Sequence, residues 1–179
     1  MKRVTLYFLF GTLLGIFAGC TTMSTRSMAP LETVPFVDLP RFMGDWYVHG
    51  YTPILVDGDA YNSLEQYAMN ADGTIAVTYS FNDGGFDGER KTYTPKGFIR
   101  NTETNAEWGM QFIWPFKATY LVIYLDDTYQ TTIIGVPNRR YAWIMSRTPQ
   151  MDDPTYASLL IFLQERGYDT TEIQRVQHG

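Results

Sequence analysis

Cysteine is almost absent from this chain of 179 residues, in which Cys20 is the single example. A domain with no second thiol forms no internal disulfide, so a disulfide-stapled fold is excluded. Histidine is nearly as scarce, because His49 and His178 are the only two. They are far apart in sequence and have no nearby cysteine or paired acids at ligand spacing, so we expect neither a metal site nor a cofactor.

Basic residues are outnumbered by acidic ones, at 14 to 19, which gives a net charge of −5. Lys2 and Arg3 lie in an N-terminal segment without acids, so the rest of the chain keeps 12 basic and 19 acidic residues, a net charge of −7. This balance argues against nucleic acid as the partner. It also argues against electrostatic docking on anionic lipid, so attachment to a membrane requires a lipid anchor.

The N-terminal apolar run, residues 4–17, is too short to span a bilayer. Together with Lys2 and Arg3 before it, the run predicts a signal peptide over residues 1–19. The small residues directly before Cys20 resemble the lipobox of bacterial lipoproteins. Cleavage there would make Cys20 the acylated first residue, and two or three acyl chains would hold the protein on a membrane. The alternative is an ordinary secretory signal with a chance cysteine.

The residue after the cysteine is Thr21. In lipoproteins of this kind an Asp at that place tends to retain the product at the inner membrane. The resemblance therefore implies the outer membrane, with the folded domain facing the periplasm. Residues 20–35 are rich in Ser, Thr, Met and Pro without periodicity, which predicts a flexible tether.

From residue 36 onward, short β-prone segments are separated by turn residues, as expected for a barrel or sandwich. Eight antiparallel strands are enough to close a barrel around one small ligand. We therefore predict an all-β domain over residues 36–179, an eight-stranded antiparallel up-and-down β-barrel, with a glycine-rich loop at 83–89. The predicted strands are 41–51, 61–69, 74–82, 92–100, 107–113, 119–125, 128–136 and 140–147.

One segment has a convincing helical pattern. Asp152 and Pro154 belong to a start signal, and Gly167 is a stop signal. The apolar residues between them lie on one broad face. We predict a C-terminal α-helix with this face packed on the outside of the barrel, followed by a last strand within residues 173–177 that pairs near the first.

Three short motifs match those of a known family in order and separation. Gly44 and Trp46 form a G-x-W pattern near the start of the first strand, Asp126 and Tyr129 flank a tight turn, and Arg147 ends the eighth strand. From residue 36 to its end, the chain resembles the lipocalins.

Within this family, the chain most resembles the bacterial outer-membrane lipoprotein lipocalins. The similarity lies in residues 143–149, in the Pro115-Phe116 pair before a tyrosine-rich strand and in the C-terminal Val176-Gln177 pair. The resemblance implies a lipid-like apolar ligand, either a lysophospholipid or a fatty acid.

The motif residues have a structural role in the predicted barrel. The indole of Trp46 is large enough to close one end, while Gly44 lets the incoming chain turn beneath it. Arg147 is expected to stack its guanidinium on the Trp46 ring, a contact worth about 1 to 2 kcal/mol when desolvated. With Asp126 and Tyr129, these residues are a scaffold rather than a ligand site.

Side chains alternate between the two faces of a strand, which identifies candidate cavity residues. The candidates share a face with Arg147, with Trp46, or with one another on strand 107–113. Tyr141, Trp143 and Met145 share the face of Arg147, and Val48 shares the face of Trp46. The candidates on strand 107–113 are Trp108, Met110 and Phe112. Such aromatic and Met-rich surface suits an alkyl chain, because it gives adaptable contact area without hydrogen bonds. The alternative is that each of them only packs the core.

Binding, storage or transport of an apolar lipid-like ligand at the cell envelope is the function that these features favour. The rival is a structural or interaction lipoprotein with a filled barrel, since thirteen tyrosines could fill a lumen as well as line it. An enzyme is not expected, because the barrel has no thiol and no serine in a nucleophile-elbow setting. The sequence leaves a homodimer open as a further partner.

Overall fold

The computed structural model describes residues 29–54 and 57–179. The predicted signal peptide 1–19, the proposed acylation site Cys20 and the tether up to residue 28 lie outside the described residues. Within this part of the chain, no helix is long and apolar enough to cross a membrane. The elements are α1 (Leu39–Phe42), β1 (Gly44–Tyr51), β2 (Ala60–Met69), β3 (Ile75–Asp83), β4 (Glu89–Tyr93), β5 (Lys96–Ile99), β6 (Glu107–Ile113), β7 (Phe116–Leu125), β8 (Thr131–Gly135), β9 (Ala142–Ser146), α2 (Asp153–Glu165), a 3₁₀ helix (Thr170–Glu172) and β10 (Gln174–Arg175).

The strands form one antiparallel sheet that closes on itself. From β1 to β9, strands adjacent in sequence pair with each other, except that β4 and β5 both pair with β3. The barrel closes where β1 pairs with β9 through Val48 opposite Met145. Because β4 and β5 form one wall strand, this is the predicted eight-stranded up-and-down barrel, and that prediction is confirmed. We call the end near Trp46 the closed end. The opposite end, where the β1–β2, β3–β4, β6–β7 and β8–β9 loops lie, is the mouth.

Pro95 divides the predicted strand 92–100 into β4 and β5. Both pieces pair with β3 in one continuous register. Pro95 has no N–H to donate to this ladder, although its carbonyl accepts from Val77 N at 3.2 Å. The wall is therefore continuous in its course but lacks one hydrogen bond at Pro95.

The predicted first strand, 41–51, is wrong at its start, because Arg41 and Phe42 belong to α1. Asp38 caps this short helix by accepting from Arg41 N at 3.4 Å, and Pro40 lies in the first turn. The helix turns the chain beneath the barrel and buries Phe42 there.

Other strand bounds differ from the predictions where turns take up more or fewer residues. β8 begins at Thr131 rather than at 128, because the Asp126 carboxylate accepts from the backbone N–H groups of Gln130 and Thr131 and holds a turn. The loop predicted at 83–89 is shorter, since β3 and β4 pair out to Asp83 opposite Glu89. β7 begins earlier than predicted, at Phe116, and β9 is shorter than predicted at both ends.

The helix α2 packs on the outside of the barrel, as predicted. Asp152 caps it by accepting from Thr155 N at 2.8 Å. Leu159 and Leu163 are buried against the outward side chains of β7, β8 and β9. The segment that follows this helix packs tightly on β8, because a Cβ atom on Gly135 would overlap the Tyr168 hydroxyl. The C-terminal tail returns to β1, where Arg175 of β10 lies opposite Gly50, so the predicted last strand exists but is short.

Residues 29–37 run along the outside of the barrel from the mouth to the closed end. At the mouth, Arg139 donates to the carbonyl of Ala29, and midway Val34 N donates to Val122 O at 2.9 Å. The last residues of the segment predicted as a tether are therefore hydrogen-bonded to the wall.

Candidate functional site

The closed end of the barrel is stoppered by Trp46, which is fully buried. The Trp46 indole N–H donates to Phe42 O at 2.8 Å, and the Arg147 guanidinium carbon lies 3.7 Å from the centre of the ring. Arg147 also donates to the carbonyls of Arg41 and Asp45, both at 2.7 Å. We call Trp46 and Arg147 the plug, and these bonds join it to α1 and the start of β1.

The turn before β8 is tied to the same end. The Asp38 backbone N–H donates to the Tyr129 hydroxyl at 2.8 Å, and the Arg41 guanidinium lies 3.9 Å from the Tyr129 ring centre. Tyr129 itself has φ of 61°, held by the Asp126 turn. These residues contact backbone and one another, so they position the plug.

Aromatic rings fill the lower half of the lumen directly above the plug. Ring centres of Phe42 and Trp46 are 5.0 Å apart, and those of Phe42 and Trp108 are 5.4 Å apart. Trp108 stacks on Tyr120 at 5.6 Å, and Tyr120 stacks on Trp143 at 6.1 Å. At this level the rings pack against one another and belong to the buried core of the barrel.

Above these rings lies a largely apolar cavity of about 160 Å³. Tyr120 and Trp143 contribute to its inner end, Met110 and Val77 to its wall, and Tyr141 to its outer part. A hollow that is closed below and apolar in lining is suited to an apolar molecule or to one apolar part of a larger molecule.

Two carboxyl groups line this otherwise apolar cavity. Glu65 on β2 is only 7% exposed, and its Oε2 accepts from the hydroxyls of Tyr67 and Tyr120. Burial, together with the charge of Asp57, raises the pKa of Glu65 to about 7, although the Tyr120 hydrogen bond opposes the shift. Asp57 accepts from the Tyr79 hydroxyl at 3.0 Å, and burial raises its pKa as well.

The rim of the mouth exposes large apolar side chains at the β6–β7 hairpin. Phe112 is 54% exposed, Ile113 73%, Trp114 82% and Phe116 76%. Phe112 also lines the cavity. Apolar surface of this kind, contiguous at one hairpin tip, marks a site of interaction rather than scattered exposure.

The two histidines, distant in sequence, are neighbours in the fold, with ring centres 5.2 Å apart. His49 Nε2 lies 2.8 Å from Ser146 Oγ, and burial lowers the pKa of His49 to about 4. His178 bonds to Val48 O at 2.9 Å. The pair fixes the C-terminal tail to β1. Over residues 29–54 and 57–179, no group of three His, Cys, Asp or Glu side chains is arranged to hold a metal ion.

The family model described as a lipocalin-like domain matches residues 37–178 of this chain. The protein is a lipocalin. Temperature-induced lipocalin-1 of Arabidopsis thaliana is 32% identical over 157 residues, which cover 81% of each chain. The outer membrane lipoprotein Blc of Vibrio cholerae is 28% identical over 162 residues, covering 89% of this chain and 91% of that protein. With the Escherichia coli Blc also similar, at 29% over 151 residues, this lipocalin is of the Blc type.

Solved structures show the same fold at lower sequence identity. Insecticyanin from the tobacco hornworm Manduca sexta matches with a TM-score of 0.64 and 16% identity, over 83% of this lipocalin and 85% of that chain. Lobster apocrustacyanin A1 matches with a TM-score of 0.62 and 14% identity, over 79% and 80%. At this level of identity, the likeness concerns the barrel alone.

The candidate cavity residues of this lipocalin fall into two groups by height in the barrel. Those near the mouth line the cavity, and those nearer the plug are fully or almost fully buried in the packed interior without lining it. The first group is Met110, Phe112, Tyr141 and Trp143, and the second is Val48, Trp108 and Met145. Strand alternation gives the face of each side chain but not the level at which aromatic rings fill the lumen.

Sequence patterns missed Glu65, Asp57, Tyr79 and Tyr120 as cavity residues. Glu65 lies opposite Trp46 in the β1–β2 pairing and therefore points to the same, inward face. Only the register between these strands reveals this, and no motif in the sequence gives that register.

Proposed function

We propose that this lipocalin binds and transports a small lipid-like apolar molecule at the cell envelope. The observation that supports this most directly is the apolar cavity of about 160 Å³ between the aromatic rings and the mouth. Family membership supports it as well, because a barrel closed at one end serves as a cup for one small ligand. A lysophospholipid or a fatty acid is the ligand class that we propose.

The size of the cavity limits how much of such a ligand fits without rearrangement. An engineered apolar cavity of about 150 Å³ in another protein binds benzene. A complete acyl chain therefore needs the rim side chains Tyr141 and Phe112 to turn outward. Burial of about ten methylenes at ~0.8 kcal/mol each gives on the order of 8 kcal/mol before the cost of immobilisation, consistent with micromolar binding.

A second proposal is an interaction protein whose barrel stays filled. The stacked rings of Trp108, Tyr120 and Trp143 favour it, since they already fill much of the lumen. The remaining hollow distinguishes the two proposals, because a filled barrel has no saturable site for a chain.

Titration with a fluorescent fatty acid tests the two proposals. Wild-type protein should show saturable binding near the micromolar range, whereas Tyr141→Arg and Trp143→Ala should weaken it at least tenfold. Ile161→Arg, an equal change on the exposed face of α2, is the matched control and should bind like wild type. Absence of saturable binding in wild type would contradict the ligand-binding proposal and favour the filled barrel. Product released from lysophospholipid would indicate a hydrolase, which neither proposal expects.

We further propose that Cys20 anchors the protein to the outer membrane, with the barrel in the periplasm and its mouth toward the bilayer. Ala29 lies at the mouth beside Arg139, so the chain that leads to Cys20 departs from this end. Nine residues reach at most about 30 Å. The exposed side chains of Trp114 and Phe116 are at the same end, where they would meet the bilayer.

Fractionation of cells tests the anchor. Wild type should be found with outer membranes, and Cys20→Ser should give an uncleaved precursor or a soluble protein. Thr21→Ser is the matched control and should leave the distribution unchanged. If Cys20→Ser is found with outer membranes to the same extent as wild type, acylation of Cys20 is contradicted.

A further inference from the structure

Among residues 29–54 and 57–179, the two carboxyl groups in the cavity have no cationic partner. Hydroxyl groups of tyrosines face them instead, from Tyr67 of β2 and Tyr120 of β7 toward Glu65, and from Tyr79 of β3 toward Asp57. Throughout the described residues, the ion pairs lie elsewhere on the surface. A buried carboxylate is ordinarily paired with a cation, so when these acids ionise their negative charge is met only by hydrogen-bond donors next to a ligand cavity.

Glu65 also has hydrogen-bonding capacity left. Both tyrosine hydroxyls donate to its Oε2, and Oε1 has no hydrogen-bond partner within residues 29–54 and 57–179. Among the described residues, no fully enclosed side-chain N or O atom lacks a hydrogen-bond partner. Oε1 is therefore not fully enclosed and keeps some exposed surface. Because Glu65 lines the cavity and is only 7% exposed in all, we infer that the exposed part of Oε1 faces the cavity.

Aromatic side chains surround the same region. Tyr79, Tyr120, Tyr141 and Trp143 all line the cavity together with the two acids. Faces of such rings attract cations, and the attraction is greater where water is excluded. Carboxylates and ring faces that converge on one small hollow match the chemistry of an ammonium group.

We propose that the inner end of this cavity binds the ammonium group of a cationic amphiphile and disfavours a carboxylate or phosphate there. The inference rests on the proposed function, since it assumes that the cavity accepts an apolar chain. The amine enters first, and the chain extends outward past Phe112 to the apolar rim. A fatty acid then binds only with its chain inward and its carboxylate at the mouth.

The charge of Glu65 changes within the physiological range of pH. Its pKa is about 7, raised by burial and by Asp57, so the carboxyl is mostly ionised at pH 8 and mostly neutral at pH 5.5. Alkyl ammonium groups stay charged across this range, as lysine does with a pKa of about 10.4. The preference for the amine should therefore be large at pH 8 and small at pH 5.5, without any substitution in the protein.

Three ligands of equal chain length measure the preference: octylamine, octanol and octanoate, each titrated into the protein and followed by NMR chemical shifts. We expect octylamine to bind about tenfold more tightly than octanoate at pH 8, with a ratio of about two at pH 5.5, where Asp57 is the acid that remains beside the amine. Glu65→Gln keeps the shape of the side chain and should reduce the ratio at pH 8 to about twofold. Glu103→Gln, an exposed acid far from the cavity, is the control and should leave it unchanged.

The results separate this inference from the proposed function. Equal affinity of octylamine and octanoate at pH 8, with octanol bound, overturns the charge preference and leaves apolar binding intact. A preference that stays about tenfold in Glu65→Gln and at pH 5.5 overturns the role of Glu65. If none of the three ligands binds, the proposed function fails and this inference fails with it.

Discussion

The guanidinium carbon of Arg147 lies 3.7 Å from the centre of the Trp46 indole ring, although the two residues are far apart in sequence. The contact unites the beginning of β1 with the end of β9, the two strands that close the barrel. Both ends of the sheet are therefore fixed at the plug, and its loss should affect the whole domain.

Trp46→Ala should lower the free energy of unfolding by about 3 to 5 kcal/mol, because it leaves a large cavity and removes the stacking partner of Arg147. Thermal and urea denaturation measure the change. Trp114→Ala is the control, since Trp114 is 82% exposed and should change stability by less than about 0.5 kcal/mol. An unchanged melting temperature in Trp46→Ala would contradict the role of the plug.

Arg147→Lys should destabilise the domain by about 2 kcal/mol even though the charge remains. Lysine cannot reproduce the planar stacking on Trp46 or reach the carbonyls of Arg41 and Asp45 together. Arg140→Lys, a surface position with its side chain near Tyr141, is the comparison and should be neutral. In a double-mutant cycle, we expect Trp46 and Arg147 to be coupled by about 1 to 2 kcal/mol, and additive effects would rule out a direct contact.

Gly135→Ala should destabilise the domain by about 1 to 3 kcal/mol, because the added methyl would overlap the Tyr168 hydroxyl and push the segment after α2 off the barrel. Gly58→Ala adds the same methyl where nothing lies within 4 Å and is the matched control. Urea denaturation gives both values. Equal free energies of unfolding in the two variants would mean that the side chains beside β8 adjust to the added methyl without loss of stability.

Glu65→Gln should change how stability depends on pH. The pKa of Glu65 is 4.5 in the unfolded chain and about 7 in the fold, owing to burial. Between these values the unfolded chain loses its proton first, so stability falls as pH rises and levels off above pH 7. The total effect is at most roughly 3 kcal/mol at 1.36 kcal/mol per unit.

The variant should therefore gain stability over wild type from pH 4.5 to pH 7, as measured by urea denaturation across that range. The difference between the two proteins removes the contribution of His49, whose lowered pKa of about 4 acts in the opposite direction over pH 4 to 6.5. A difference that is constant with pH would show that Glu65 does not titrate in this window.

Sequence patterns were sufficient for the barrel, because its strands alternate and its turns contain glycine, asparagine and aspartate at the expected places. They failed at Arg41 and Phe42, where the capping residue Asp38 outweighs the β-prone residues that follow. A cap is a local signal of a single residue, and periodicity over a longer window conceals it.

The candidate site was harder to predict, because its acids contradict the pattern that identifies a core. On β2, Glu65 and Ser63 point inward, whereas the apolar Leu64 between them faces out. Hydrophobic alternation would place this strand the other way round. Such conflicts between local pattern and fold are expected at functional positions, and they can be recognised only when the register of the barrel is known.

Pro95 interrupts the ladder of the barrel wall directly beside the ligand cavity, and β3 and β5 pair there through only the short segment of Ile75 and Ala76. The backbone amide of Val77, next to this interruption, should therefore exchange its hydrogen for deuterium sooner than the backbone amides in the middle of β7. That strand is paired on both sides, with β6 and with β8. Local opening of the wall at this position would expose to solvent the side of the cavity that Pro95 and Val77 line.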